Sequence, residues 1–339
     1  MKKIFLYDLD RNFLIFLLLS KIFKDEIIII TADKLKGNIF SNNMKNIKLV
    51  TLNSKKLHGN LITRILYLKT IRKKLKYLIK ELNDKKAYLY GETQFKLGKE
   101  VFFKEEIIEI EDGLANYTIL NKNDKIKKVI LKETIREIIK NFFGLKTRKG
   151  VLGYAENTSK VYLTENLCRE VPKGLEKKAE IINLKDLWNK KSEEEKKIIL
   201  DTFNFNNEIL KKVDENTVML FTQPLSEDKR ILEEEKIELY SKILKKYDNN
   251  SIIIKPHPRE KTDYSKYFPD CYVMKEKYPV EILELVGINI KKVITIFSSA
   301  AFAFGKNVEI DFYGTEIHPK LFEIFGTQDK LMKRNAFLD

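Results

Sequence analysis

Cysteine is nearly absent: Cys168 and Cys271 stand far apart and outside any CxxC pattern. That excludes a disulfide framework and a cysteine-built zinc cluster, and it fits a reducing cytoplasm. Uncharged apolar runs of about 18 residues, the length a membrane crossing needs, are also missing, so no transmembrane helix is expected. The opening Met1-Lys2-Lys3 and the apolar residues behind it superficially suggest a secretory signal. Asp8, Asp10 and Arg11 interrupt that stretch, however, and no small-residue cleavage site follows. The segment is expected instead to form a first strand, Ile4 to Tyr7, and a first helix from about Phe13 to Phe23.

What the chain does have is enough apolar material for a folded, soluble protein of two ordinary domains: 339 residues, 43% hydrophobic and 33% charged. Lys and Arg number 64 against 49 Asp and Glu, a net charge of +15 that favours anionic partners without choosing among nucleic acid, lipid surface and phosphorylated substrate. The basic residues are spread over helices, as on a solvated surface, with no internal repeat. Short apolar runs alternate with longer amphipathic stretches, the pattern of an α/β protein with parallel strands. The first set is Ile4–Tyr7, Ile27–Thr31, Ile47–Leu52, Ala87–Tyr90, Val101–Phe103 and Ile107–Ile110, with a long basic helix from Leu61 to Leu82. A second set begins at Val161–Leu163 and continues through Met219–Thr222, Ile252–Lys255, Tyr272–Met274, Val293–Phe297 and Ile310–Tyr313. Two such sets imply two Rossmann-like halves facing a cleft. Gly144, Gly150 and Gly153 place the join between Lys140 and Thr158, giving domains of residues 1–152 and 153–339.

Four strand ends carry residues with chemistry. Ile107–Ile110 runs into Glu111-Asp112-Gly113, two carboxylates where open α/β sheets bind ligands. A carboxylate there can take the proton of an attacking hydroxyl, and glycine lets the backbone turn closely beneath a substrate. The triplet is common enough by chance that, taken alone, a simple turn is the favoured reading. Ile252–Lys255 runs into Pro256-His257-Pro258-Arg259. With three histidines and seven prolines in the chain, a His-Pro pair is expected by chance only about 0.06 times. His257, between Lys255 and Arg259, can donate to a departing phosphate. The second pair, His318-Pro319, follows no apolar strand and reads as a turn. Val293–Phe297 leads to Ser298-Ser299 and a helix over Ala300–Phe304, whose first turn can bind an anion or simply be capped by Ser298. Pro279-Val280-Glu281 opens another helix, where Glu281 can accept from ribose hydroxyls or favour the helix start. Thr222-Gln223, after Val218–Phe221, are placed by position alone.

In order and spacing, Glu111-Asp112-Gly113, Lys255-Pro256-His257-Pro258 and Ser298-Ser299 resemble the three motifs of bacterial sialyltransferases, most closely glycosyltransferase family 52, the lipooligosaccharide and capsule sialyltransferases. The resemblance covers most of the chain. It implies a GT-B fold and an inverting single displacement from CMP-sialic acid, with no cofactor and no bound metal. By position, Asp112 would be the general base, with Glu111 and Gly113 positioning substrate. His257 would stabilise or protonate the leaving CMP phosphate, Ser298 and Ser299 would hold that phosphate, and Glu281 the ribose. Lys255, Pro258, Thr222 and Gln223 would complete the nucleotide site. Expected partners are CMP-sialic acid and a saccharide acceptor, lipid-linked, with a homodimer and peripheral contact with the inner face of the cytoplasmic membrane as further expectations. No nucleic acid is expected, and no single amphipathic segment compels membrane contact.

The first loop, Tyr7-Asp8-Leu9-Asp10-Arg11-Asn12, is more acidic than the family pattern, which bears on acceptor choice. It also resembles the nucleophile loop of haloacid-dehalogenase-type phosphatases, but Arg11-Asn12 replaces the usual Gly-Thr. Read as the metal-binding DxD of GT-A enzymes, it comes too early in the chain. Family 52 also includes glucosyltransferases. CDP-polyol phosphotransferases share His-Pro and Ser-Ser elements, though not the acidic pair. A non-catalytic binder of anionic surfaces would need its basic residues clustered on one face.

Overall fold

The computed structural model describes residues 1–32, 44–57, 59–93, 97–113, 115–118, 138–140, 142–146, 148–150, 152–168, 170–214, 216–247, 252–288, 290–305 and 308–327. Two compact units divide the chain, Met1–Thr202 and Phe203–Asp339. Every strand pairing among the described residues is parallel.

The first unit is built on seven strands: β1 (Lys2–Tyr7), β2 (Glu26–Thr31), β3 (Ile47–Thr51), β4 (Ala87–Gly91), β5 (Ile107–Ile110), β6 (Thr158–Thr164) and β7 (Ala179–Ile182). Their order is β3-β2-β1-β4-β5-β6-β7. Central parallel strands are covered on both faces, which is why Ile4–Leu6 and Ile27–Ile30 are unbroken apolar runs rather than alternating ones. The helix Asp10–Leu19 is buried almost all round, from Asn12 to Leu18. It starts and stops earlier than its apolar pattern suggests. Asp10 suits the positive end of the helix, and Ser20 leaves in an extended conformation with its Oγ donating to the Phe16 carbonyl at 2.8 Å. The expected basic helix is present but breaks at Leu75 into Leu61–Lys74 and Lys76–Asn83. Asn60 caps its start, accepting from the Thr63 N–H at 2.9 Å.

Two expectations fail here. Val101–Phe103 is not a strand: it closes a π-helical turn, Leu97–Val101, and the bend behind it. The carbonyls a strand would have offered to a neighbour are taken by side chains instead, Val101 by Arg72 Nη1, Phe102 by Arg148 Nη2 and Phe103 by Asn157 Nδ2 at 3.2 Å. The boundary at 152/153 is also wrong. Residues 148–164 stay with the first sheet, and the division comes at 202/203. The glycine-rich stretch, whose residues 141, 147 and 151 lie outside the described residues, is a tight connection into β6. Glu109, buried on β5, ties it down by accepting from Thr158 Oγ1 (2.5 Å), Gly153 N (3.0 Å) and Thr93 Oγ1 (2.7 Å). β6 and β7, the latter absent from the sequence reading, then extend the sheet.

The second unit carries β8 (Val218–Phe221), β9 (Ile252–Lys255), β10 (Tyr272–Val273), β11 (Lys292–Thr295) and β12 (Glu309–Phe312) in the order β10-β9-β8-β11-β12. Its core gathers Leu220, Ile254 and Ile294 from the three central strands with Leu239, Tyr240 and Ile243 from the helix Glu233–Leu244. Among the described residues no helix is long and apolar enough to cross a membrane.

Glu109→Gln tests the tie between the join and the first sheet. An amide of the same size offers one acceptor oxygen where the carboxylate offers two, so buried donors lose partners. The variant should unfold at lower urea concentration with unchanged m-value, at a cost of about 1–3 kcal/mol. An unchanged midpoint would remove Glu109 from this role.

Candidate functional site

In a parallel sheet all strands finish at one edge, so the loops after them collect there, and ligands favour the place where strand order reverses. In the first unit the reversal lies between β1 and β4; in the second it lies between β8 and β11. The residues singled out in the sequence fall on loops at these edges.

In the first unit Glu111 and Asp112 leave the end of β5 in opposite senses. Glu111 is fully buried. Its Oε1 accepts from Arg11 Nη2 at 2.6 Å and from Thr164 Oγ1, and its Oε2 accepts from Tyr117 OH at 2.8 Å. Burial, and then the Glu111 charge, push the Tyr117 phenol far above its ordinary range, so it stays a donor. A side chain so occupied holds the loop that carries Asp112. Arg11 Nη1 also grips the Glu111 carbonyl at 2.9 Å, and the Asp112 N–H donates to Asn116 Oδ1 at 2.7 Å. Asp112 itself is half-buried, and Gly113 follows in the left-handed region at φ 50°. The backbone carrying Asp112 is thus clamped on both sides and turned away at once.

The acidic first loop finds its use here. Tyr7 OH donates to Asp10, Arg11 serves Glu111, and Asn12 donates to the buried Glu92 at the end of β4. Arg11, Asn116, Tyr117 and Thr164 were not foreseen. Arg11 and Glu111 are separated by 100 positions, so no local pattern joins them.

In the second unit the loops after β9, β8 and β11 lie side by side. Gln223 Oε1 accepts from the Phe297 N–H at 3.3 Å, which links the β8 loop to the β11 loop across the point of reversal. β11 ends at Thr295, whose Oγ1 accepts from the Ser298 N–H at 2.9 Å. Ser298 precedes a short 3-10 helix, Ser299–Phe304, and its Oγ accepts from the Ala300 N–H at 3.3 Å. The expected single helix carrying both hydroxyls in its first turn is therefore a cap residue followed by a tight turn. Both serines are half-buried. Thr222, expected at the nucleotide site, is buried, and its hydroxyl donates to Glu260 Oε2 at 2.6 Å.

Glu260 organises the His-Pro loop. The same Oε2 accepts the His257 N–H at 2.6 Å, while Oε1 accepts Tyr264 OH at 2.6 Å. A carboxylate three residues after the N–H it receives is the reach-back half of a capping box, a spacing visible in His257-Pro258-Arg259-Glu260 that the sequence reading passed over. His257 Nδ1 accepts the Arg259 N–H at 3.2 Å, which places the proton of the neutral ring on Nε2. Burial, then the neighbouring Arg259 and Lys255 charges, hold its pKa below the usual histidine value. Near neutral pH His257 is an uncharged Nε2–H donor. Pro258 is exposed, and its carbonyl accepts from Lys277 Nζ at 3.1 Å.

Lys255, the last residue of β9, is a buried cation. Burial pushes its pKa down to about 8, and the charges of Glu276 and Glu281 offset part of that. Its Nζ lies 5.1 Å from the centre of the Tyr278 ring and 3.5 Å from the Glu276 carbonyl. Glu281, buried, is the first residue of the helix Glu281–Leu285, as expected. The hydroxyl of Tyr278 is buried and has no hydrogen-bond partner among the described residues. His318-Pro319, expected as a turn, instead opens the helix Pro319–Phe325, with His318 extended before it and Pro319 as its first residue.

Comparison with known proteins places this geometry in a family. Over 217 residues, 64% of this chain, the sequence is 42% identical to an uncharacterized protein of Haemophilus influenzae, and the match spans 65% of that protein's length. The GT-B domain of a sialyltransferase from Photobacterium damselae superposes with a TM-score of 0.52 at 15% identity, covering 99% of this chain and 97% of that one. An α/β-galactoside α-2,3-sialyltransferase from Photobacterium phosphoreum gives 0.49 at 13% identity, over 92% and 89% of the two chains. At such identities the first of these structures establishes a shared GT-B fold. The sequence profile of glycosyltransferase family 52 matches residues 16–321 and so takes in both units. The chain belongs to glycosyltransferase family 52.

Proposed function

We propose that the chain is a sialyltransferase, moving sialic acid from CMP-sialic acid to a galactose-type hydroxyl of a lipid-linked or capsular saccharide, with inversion and without a bound metal. The observation that carries this reading is the tautomer of His257. Its Nδ1 is engaged by the Arg259 N–H, so Nε2–H is the donating face, on a loop between a buried lysine and an arginine. An uncharged donor beside cations suits the oxygen of a departing nucleotide phosphate.

In the proposed reaction the Asp112 carboxylate accepts the proton of the acceptor hydroxyl as that oxygen bonds to the anomeric carbon. The bond from that carbon to the CMP phosphate oxygen breaks, and the electron pair stays on the phosphate. His257 Nε2–H donates a hydrogen bond to that oxygen, while Ser298 and Ser299 hold the remaining phosphate oxygens, with Gln223 setting the β8 loop beside them. Glu281 receives the ribose hydroxyls. Glu111, Arg11 and Asn116 act on the acceptor only through the backbone of Asp112.

The first test is release of CMP from CMP-sialic acid in the presence of EDTA. Wild type should turn over. Asp112→Ala should lower kcat by about 10²–10⁴-fold with donor binding kept, and His257→Ala by about 10²–10³-fold. A folded wild type that neither binds nor consumes this donor would sink the proposal, and UDP-glucose and CDP-glycerol would be the next donors to assay.

Lys255 sets an alkaline limb. Its charge, which favours an anionic donor, is present below about pH 8 and lost above it. The donor's kcat/KM should therefore fall as pH rises through about 8, and Lys255→Arg should move that fall to higher pH. A limb that stays put in the arginine variant assigns it to another group.

The same burial has a stability consequence of opposite sense. The folded-state pKa lies below the unfolded 10.5, so the unfolded chain binds more protons between about pH 8 and 10.5, and stability rises with pH across that window. Below it, a charged buried Lys255 costs about 3 kcal/mol. Lys255→Met should raise stability at neutral pH by about 1–3 kcal/mol while weakening donor use, a gain that shrinks towards pH 10.5. A destabilised methionine variant would contradict this account.

A further inference from the structure

Between Ser54 and Lys80 the chain carries nine basic residues and no acidic one. Two of the nine are taken up inside the unit: Arg64 lies 3.5 Å from Glu100 and Arg72 lies 2.8 Å from Glu105. The other seven, Lys55, Lys56, Lys69, Lys73, Lys74, Lys76 and Lys80, are exposed. On the helix Leu61–Lys74 the inward stripe is Ile65, Leu68 and Ile71, which pack into the core of the first unit. The outward stripe, at the helical spacing i, i+4, i+7, i+11, is Ile62, Leu66, Lys69 and Lys73. Ile62 is 66% exposed and Leu66 56%.

A neighbouring segment continues the pattern. Lys69 Nζ lies 5.2 Å from the centre of the Phe143 ring, and Lys140 Nζ donates to the same Glu100 that meets Arg64. Beside these contacts Ile138 is 61% exposed and Phe142 86%. The helix also has a definite polarity in the unit. Glu81, near the end of Lys76–Asn83, bonds Lys2 at the start of β1 at 2.8 Å, so Leu61 lies towards the opposite edge, where the strands end and Glu111-Asp112 emerge.

We propose that this face, Ile62, Leu66 and Phe142 among Lys69, Lys73 and Lys74, seats the first unit on an anionic lipid bilayer. The charge argument selects the occupant. Lys69 and Lys73 stand four residues apart on one helix face, where like charges repel, and a surface of lipid phosphates turns that repulsion into attraction. Apolar side chains among lysines are what enters the headgroup boundary of such a surface. Apolar residues on both sides of the helix hide its outward stripe from any search for one hydrophobic face. The apolar end of the seat, Ile62 and Leu66, lies towards the sheet edge that bears Asp112, the edge a lipid-linked acceptor would have to reach. The surface does not depend on the identity of the donor.

The test is co-sedimentation of the full chain with vesicles of phosphatidylcholine alone and with roughly one-third phosphatidylglycerol. Binding should appear only with the anionic vesicles and be reversed by high salt. Ile62→Ser/Leu66→Ser/Phe142→Ser and Lys73→Glu/Lys74→Glu should each lower the partition coefficient by about tenfold or more. Both variants should keep the wild-type unfolding midpoint and the wild-type rate of donor turnover without vesicles, which separates a failure here from a failure of the sialyltransferase reading. Wild type that stays in solution with anionic vesicles overturns the proposal, as do variants that bind as wild type does. So does a wild-type dimer dispersed by the serine variant without any vesicle binding, which would make this face a contact between copies.

Discussion

Parallel pairing is the constraint from which the rest follows. It satisfies the strand backbone sideways, allows both sheet faces to be covered by helices, and obliges every strand to end at the same edge. Loops gathered at that edge cannot pair with one another as strands do, and many of their backbone groups are out of water. Something else must receive those N–H groups, and here it is a small set of buried carboxylates. At the ends of β8 and β9 Glu260 takes the His257 N–H with Thr222 and Tyr264, and Glu109 does the same for the connection into β6, taking the Gly153 N–H and two threonine hydroxyls. Each acts as a rigid acceptor with several lone pairs in one place, which neutral side chains of that size do not offer.

This division of labour explains why acidic residues come close together in the sequence yet do different work. Glu111 and Asp112 are adjacent, so at the end of a strand they leave on opposite sides. The inward one is saturated by Arg11, Thr164 and Tyr117, while the outward one is left half-buried on a backbone that cannot shift. His257 and Glu260 repeat the arrangement in the second unit, with the acceptor inside and the imidazole displayed. Rigidity of this kind would matter to the proposed displacement reaction, where a base misplaced by an ångström loses much of its effect.

The strands were legible because parallel strands buried on both faces leave unbroken apolar runs, as in Ile27–Ile30. The placement of the candidate residues at strand ends was legible for a related reason, since a polar residue directly after such a run has only the sheet edge to occupy. What could not be read depends on contacts between distant positions. Val101–Phe103 has the composition of a strand, but its carbonyls go to the side chains of Arg72, Arg148 and Asn157, which lie 29, 46 and 54 positions away. Glycines at the expected join looked like a linker because glycine marks both loose connections and tight ones. At Gly153 it is the tight kind, with a φ of 96° and a would-be Cβ 2.7 Å from Val161. Thr222 was placed correctly at the edge, but the partner of its hydroxyl lies 38 residues away.

Charge follows the same logic, and net charge is a poor guide to it. Lys236 is fully buried, yet it lies 3.1 Å from Glu227, 3.0 Å from Glu233 and 3.9 Å from Glu260. Burial alone would raise the Glu227 carboxyl. The N–H groups it accepts, and the lysine itself, overcome that and hold its pKa at about 2. A lysine ringed by carboxylates spends its charge fastening the 224–228 and 260–262 turns to the helix Glu233–Leu244. Lys255 is set differently, over an aromatic face and beside a carbonyl, and burial pushes its pKa down to about 8. Two buried lysines in one unit therefore have opposite meanings. The first stabilises the loops that carry His257, whereas the second lowers stability and keeps a positive charge at the end of β9, where an arriving anion would be the better partner.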